Sequence, residues 1–150
     1  MTNKILIAID LSENSLKAVD YVAQMMQCHA EADITLLHVI KEPSPDVMQN
    51  EQERREHVEK ARAEALSLME KAATRLTSHE IPETNIHLKI QVCSQPVSVA
   101  ELVLHERQAG QYGTIVVGRR GMSKKEEFLF GSVSNKIVRE AKNCTVWVVE

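Results

Sequence analysis

From Thr114 to Glu140 the chain reads T-I-V-V-G-R-R-G-M-S-K-K-E-E-F-L-F-G-S-V-S-N-K-I-V-R-E, and no other stretch restricts the fold so strongly. Thr114 to Val117 is a short apolar, β-branched run of the kind that fills a buried strand. It stops at Gly118. Gly121 and Gly131 follow, with Ser132 directly behind, so three of the chain's five glycines lie here. From Ser132 the apolar positions Val133, Ile137, Val138 and Ala141 take helical spacing. A strand, a glycine-bearing connection and a helix in that order suit an anion. Glycine lets backbone come close to a ligand, and a helix start offers unpaired N–H groups at the positive end of the macrodipole. A phosphate uses both at once. The Ser132 hydroxyl can cap the helix or donate to the phosphate. The competing reading is a surface loop whose glycines only make turns.

Length and composition narrow the field. A chain of 150 residues with 43% hydrophobic and 26% charged residues is expected to form one ordinary globular domain. Aromatics are only 3%, so Val, Ile, Leu, Ala and Met must fill its core. With 18 basic against 21 acidic residues and a net charge of −3, broad electrostatic binding to nucleic acid or anionic membrane is not expected. No apolar run approaches the roughly 20 residues that span a bilayer, and the N-terminus lacks a signal peptide's apolar region. Cys28, Cys93 and Cys144 are widely spaced and contain no C-x-x-C pair. Buried, reduced thiols in a cytoplasmic protein are the expectation.

In chain order, Lys4 to Ile9 is almost continuously apolar, as a central parallel strand covered on both faces should be. Asp10 ends it, Ser12 is a candidate N-cap, and Leu16, Val19, Ala23 and Met26 form the inner stripe of a first helix. Asp10 thus stands at the carboxyl end of a strand, where open α/β sheets bind ligands. It can equally cap the helix. Asp33 to Val39 is a second buried strand. A turn-rich segment with Pro43 and Pro45 follows, and then a long helix from about Val47 to Ser78, its stripe Val58, Ala61, Ala65, Leu68, Ala72 and Leu76. The polar stretch Gln49 to His57 reads as a solvated or frayed extension, with a lid or partner surface as the alternative.

Thr84 to Val92 alternates, with Ile86, Leu88, Ile90 and Val92 on one face and His87, Lys89 and Gln91 on the other. That pattern predicts a half-exposed edge strand. Pro96 opens a helix at its first turn, with Val99, Leu102 and Val103 facing inward. Thr145 to Val149 is the last strand. Five strands alternate with four helices, which predicts a doubly wound parallel sheet with helices on both faces, Rossmann-like in architecture. Ligand binding then belongs where the strand order reverses. If the first and fourth strands are neighbours there, Asp10 and Gly118 end side by side.

Taken together these residues resemble the universal stress protein family over essentially the whole chain. Gly118, Gly121, Gly131 and Ser132 match the G-x2-G-x9-G-[S/T] pattern of its ATP-binding subgroup without a gap. Asp10 followed by Ser12 and Ser15, and a second strand ending in His38-Val39, also look like the family. The resemblance implies a five-stranded parallel sheet of order 3-2-1-4-5 and an ATP site, with Mg2+ a candidate companion of the phosphates. Asp10 would touch ribose or adenine, and the backbone of Val39 would read the adenine edge. Gly118 and Gly121 would approach ribose and phosphates, and Gly131, Ser132 and the amide of Val133 would hold the phosphate tail. Arg119 and Arg120, with Lys124 and Lys125, place four cations within seven residues. They either clamp phosphate or solvate the loop beside Glu126 and Glu127. Family dimers commonly pair through the last strand, here Thr145 to Val149, which would also cover an apolar edge.

Other chemistries are less well served. There is no G-x4-G-K-[S/T] P-loop and no G-x-G-x-x-G dinucleotide motif. The six histidines show no metal-ligand spacing, and no Ser/His/Asp set marks a triad. Phosphoryl transfer needs a positioned nucleophile and charge compensation, and no residue pattern here orients a water. A nucleotide-dependent regulatory or stress-response protein is therefore the leading expectation. The alternatives are a slow ATPase or nucleotidyl-transfer enzyme, with Asp10 as its best-placed carboxylate, and a nucleotide-free dimeric interaction module.

Overall fold

The computed structural model describes residues 2–119 and 131–150, and it has the α/β architecture that the strand and helix patterns predict. Five parallel strands, β1 (Lys4–Ile9), β2 (Asp33–Lys41), β3 (Ile86–Cys93), β4 (Thr114–Gly118) and β5 (Thr145–Val149), form one sheet of order β3-β2-β1-β4-β5. Among the described residues the helices are α1 (Glu13–Met26), α2 (Glu51–Thr77), α3 (Val99–Gly110) and α4 (Ser132–Glu140).

Alternation along each strand sends side chains to opposite faces, and the two faces have separate cores. Ile5, Ile7, Ile9, Ile34, Leu36 and Val116 pack with Val19, Val22, Met69 and Leu76 of α1 and α2. Leu6, Leu37, Ile115 and Val117 pack with Ala100, Val103 and Ile137 of α3 and α4. Strand order runs outward in both directions from the β1–β4 pair, and the helices change face at the same place. That is the physical meaning of a switch point. Each Leu or Ile so buried contributes roughly 1.5–3 kcal/mol relative to exposure.

Several local expectations need correcting. The long helix begins at Glu51 rather than near Val47, because the Asn50 side chain accepts from the N–H groups of Gln52 (2.8 Å) and Glu53 (3.2 Å). Arg54 then donates to the carbonyls of Met48 (2.7 Å) and Gln49 (2.9 Å), so this end is capped and not frayed. Met69, absent from the predicted stripe, is fully buried, whereas Val58, Ala61 and Leu68 are only partly so. Pro96 lies in the turn before α3. The helix starts at Val99, because Ser98 and Glu101 close a capping box.

β3 is an edge strand, as its alternation predicts, but its polar face is not simply solvated. Lys89 Nζ (2.8 and 2.9 Å) and Gln91 Nε2 (2.9 Å) donate to the buried carboxylate of Glu106 on α3. Tyr112 Oη lies 3.1 Å from Thr35 Oγ1 and 3.4 Å from Glu106, and burial pushes the Tyr112 phenol up from its ordinary pKa. Leu88 and Val92, on the strand's apolar face, remain exposed, as does Val138 on α4. Of the cysteines, Cys93 is buried, Cys144 is half-buried and Cys28 is exposed, and all three are free thiols.

Candidate functional site

The predicted site residues that the structure describes lie at the carboxyl edge of the sheet. Ala8 pairs with Val117, so Asp10 and Gly118 leave adjacent strands side by side. A Cβ at Gly118 would stand 3.3 Å from Cβ of Asn14 in the first turn of α1. Glycine there lets the end of β4 lie against that turn. Asp10 Oδ1 accepts from the Ser12 N–H (2.8 Å) and the Ser15 hydroxyl (2.8 Å), and the Asp10 N–H donates to Ser15 Oγ (2.8 Å). Asp10 therefore organises the start of α1. Ser12 occupies the N-cap position, yet its side chain makes no cap bond. Its Oγ is buried without a hydrogen-bond partner among the described residues, the kind of orphaned polar atom that a bound group satisfies.

β2 reaches further than β1. Its ladder to β1 ends at the Ile9–His38 pair, while its ladder to β3 continues to Lys41. Val39, Ile40 and Lys41 thus form a ledge beyond the end of β1, with a strand partner on the β3 side only. The buried His38 anchors the ledge through Nδ1, 2.9 Å from the Ile9 carbonyl oxygen. Val39 stands at the base of this ledge, two residues before Lys41, which reaches the cleft at the start of α4.

The third group is the start of α4. Gly131, not Ser132, holds the N-cap position, with extended backbone (φ −61°, ψ 161°) and no side-chain cap. Ser132 is the first helical residue and is exposed. Its hydroxyl does not cap this helix. The Gly131 N–H donates to the Arg119 carbonyl (2.8 Å), and the first intrahelical bond runs from Asn135 to Gly131 (2.9 Å). Ser132 and Val133 line a cleft of 540 Å³ whose other walls are Lys41 and Glu42 after β2, the segment from Cys93 to Ala100, and Lys136. Asp10 and Gly118 lie outside this cleft's walls. The Arg119 carbonyl joins the two groups.

Charge around the cleft is mixed. Lys136 donates to Glu101 at 2.9 Å. The Ser98 N–H, then Lys136, hold the Glu101 carboxyl down at about 2, and Glu101 in turn raises the Lys136 pKa. Glu42 accepts from Ser94 (2.6 Å). Arg119 is committed elsewhere: its guanidinium meets Glu150 at 2.7 Å, and its N–H donates to the Val149 carbonyl (2.7 Å). Arg120, Gly121, Lys124 and Lys125 lie outside the described residues. Sequence reasoning missed Ser134, which is buried and donates its hydroxyl toward the Arg119 carbonyl (2.7 Å) and the Gly131 carbonyl (3.1 Å). It also missed the ledge beyond Val39. Only the fold creates either feature.

A five-stranded parallel sheet of order β3-β2-β1-β4-β5 with helices on both faces defines a doubly wound α/β domain, the architecture that places ligand sites at its carboxyl edge. The universal stress protein family model matches residues 1–150, and the chain belongs to that family. Universal stress protein YxiE of Bacillus subtilis (strain 168) is 30% identical over 165 residues, covering 99% of both chains. The hypothetical protein MJ0577 superposes with a TM-score of 0.77 at 27% identity, over 97% of this chain and 94% of its own. UspA from Lactobacillus plantarum gives 0.81 at 20% identity, over 98% and 97%. More distant members include a universal stress protein in complex with cAMP (TM-score 0.65, 19% identity, 97% and 94% covered). Another, from Archaeoglobus fulgidus, is in complex with dAMP (0.62, 14%, 98% and 97%).

Proposed function

We propose that this chain binds ATP at the carboxyl edge of its sheet and acts as a nucleotide-dependent regulatory protein of the stress response. The observation that carries this reading is the uncapped N-terminus of α4. The cap residue Gly131 has no side chain to offer the first-turn N–H groups, and Ser132 and Val133 line the cleft. In the proposed complex Gly131, Ser132 and the Val133 amide hold the phosphate tail. Gly118 and Asp10 face the ribose, with Gly121 and Arg120 completing the phosphate side. The ledge at Val39 reads the adenine edge. Arg119 joins the phosphate only by exchanging Glu150 for it. The relatives that hold cAMP and dAMP support an adenine nucleotide as the ligand class.

Among the described residues no group of three or more His, Cys, Asp and Glu could hold a metal ion. Any Mg2+ would thus be carried mainly by the phosphates, as that ion prefers. Asp10 is engaged in shaping α1, so the proposed role is binding, with hydrolysis slow at most. β5 ends the sheet on one side, and its Thr145–Val149 edge is the surface we assign to a homodimer.

The test is direct. Protein purified without added nucleotide is denatured, and the released small molecules are identified by mass spectrometry. Recovered ATP supports the site; mostly ADP makes turnover the next assay. Gly131→Glu should abolish ATP binding by placing a carboxylate among the helix-start amides, and unchanged affinity in that variant would remove the site assignment.

A further inference from the structure

Arg119, just after β4, and the start of α4 are joined by a small set of hydrogen bonds that no sequence motif names. The chain leaves at Arg119 and returns at Gly131, where the Gly131 N–H meets the Arg119 carbonyl at 2.8 Å. Ser134 lies one turn into α4, with 2% of its surface exposed. Its hydroxyl is 2.7 Å from the same Arg119 carbonyl and 3.1 Å from that of Gly131. One hydroxyl proton thus bridges the two chain segments, with the shorter bond to Arg119.

Two consequences follow. The peptide joining Gly131 to Ser132, and hence the direction of the Ser132 N–H, is held from its carbonyl side, and the Val133 N–H follows on the next peptide of the same turn. The strand side is equally fixed, because the Arg119 N–H continues the sheet onto Val149 at 2.7 Å. A buried serine at this point is not needed to fill space, since α4 already buries Ile137 against the same core. A small apolar residue would serve that purpose without the desolvation of a hydroxyl. Its chemistry matters because the hydroxyl donates to a carbonyl fifteen residues away in the chain.

We propose that Ser134 is a positioning residue for the phosphate-holding amides: it staples Arg119 to the start of α4 and so presets the anion site before ligand arrives. The inference rests on the ATP reading above, and it assigns Ser134 no contact with nucleotide. Preorganised donors bind better than donors ordered by the ligand, because the ordering entropy is already spent.

The experiment compares ATP affinity by calorimetry, and hydrogen exchange at the Gly131 amide without nucleotide, in wild type, Ser134→Ala and Ser134→Thr. Ser134→Ala should bind ATP roughly tenfold or more weakly and exchange Gly131 faster, with central-strand amides of β1 and β4 unchanged. Ser134→Thr keeps the hydroxyl and should recover most of the affinity. Should Ser134→Ala not fold, Ser134→Cys, with a weak donor of similar size, takes its place with the same expected losses. Wild-type affinity in the hydroxyl-free variant overturns the staple while leaving the nucleotide site standing. So does weakened binding with unaltered Gly131 exchange, which would make the residue merely structural. Absence of ATP binding in the wild type overturns the nucleotide reading itself, and the staple's role with it.

Discussion

Helices α3 and α4 begin a short distance apart on the walls of one cleft, yet their first turns are finished in opposite ways. At α3, Ser98 accepts from the Glu101 N–H and the Glu101 carboxylate accepts from the Ser98 N–H, so two of this helix start's donors are satisfied by its own side chains. At α4 the cap is a glycine with no side chain to offer, and Ser132 and Val133, which follow, line the cleft. Both starts carry the same backbone dipole. The difference is in the side-chain cap: one helix start has a capping box, and the other has none, which suits the ligand role proposed for it. A self-capped start resists an anion twice over, because the Ser98 side chain already takes one donor of the first turn and Glu101 adds a negative charge.

The contrast can be broken most forcefully by giving α4 the cap that it lacks. Gly131→Asp should lower ATP affinity by about 100-fold or more, since its carboxylate takes the amides the phosphate needs and repels the phosphate. The same change should leave the melting temperature equal or higher, because Asp is a good N-cap. Calorimetry and thermal melts on one sample check both halves. The reciprocal change, Ser98→Ala at α3, should cost about 1 kcal/mol of unfolding free energy. It should leave ATP affinity within about twofold, read from denaturant titration and calorimetry.

Smaller effects sharpen the comparison. Ser132→Ala should weaken ATP binding only a few-fold without altering stability, because the backbone amides carry most of the interaction. Acid should affect the α3 start selectively. Glu101 is held at about 2, below its ordinary 4.5, by the Ser98 N–H first and Lys136 second. A depressed carboxylate contributes stability above its unfolded pKa, and that contribution fades as pH falls from 4.5 through about 2. The stability difference between wild type and Glu101→Gln should therefore be constant near neutrality and shrink across that window. A difference that instead grows on acidification would reverse the assigned sign.

Much of this was legible in the residues. The strands at Lys4–Ile9, Thr114–Val117 and Thr145–Val149 announced themselves as short apolar runs, and helical alternation between them leaves few topologies. The nearness of Asp10 and Gly118 followed from fold rules once those strands were in place. The two helix starts that were misjudged had signals in plain view. Asn50 stands three residues before Glu53, and Ser98 three before Glu101, both spacings of a capped start. Pro96 and Val47 offer competing start signals close by. Other features had no local signal. Glu106 reads as an ordinary surface carboxylate until β3 brings Lys89 and Gln91 to it. Ser134 reads as an ordinary helix-surface serine until Arg119 returns beside it. Such roles arise from contacts distant in sequence, which periodicity does not encode.

The claim that α4 is left open for a nucleotide is tested most directly by titrating ATP into nucleotide-free wild-type protein in a calorimeter. The account predicts saturable binding with a Kd in the micromolar range or tighter, about −8 kcal/mol or more favourable. No heat and no thermal shift at millimolar ATP would contradict it, and the uncapped helix would then need another partner.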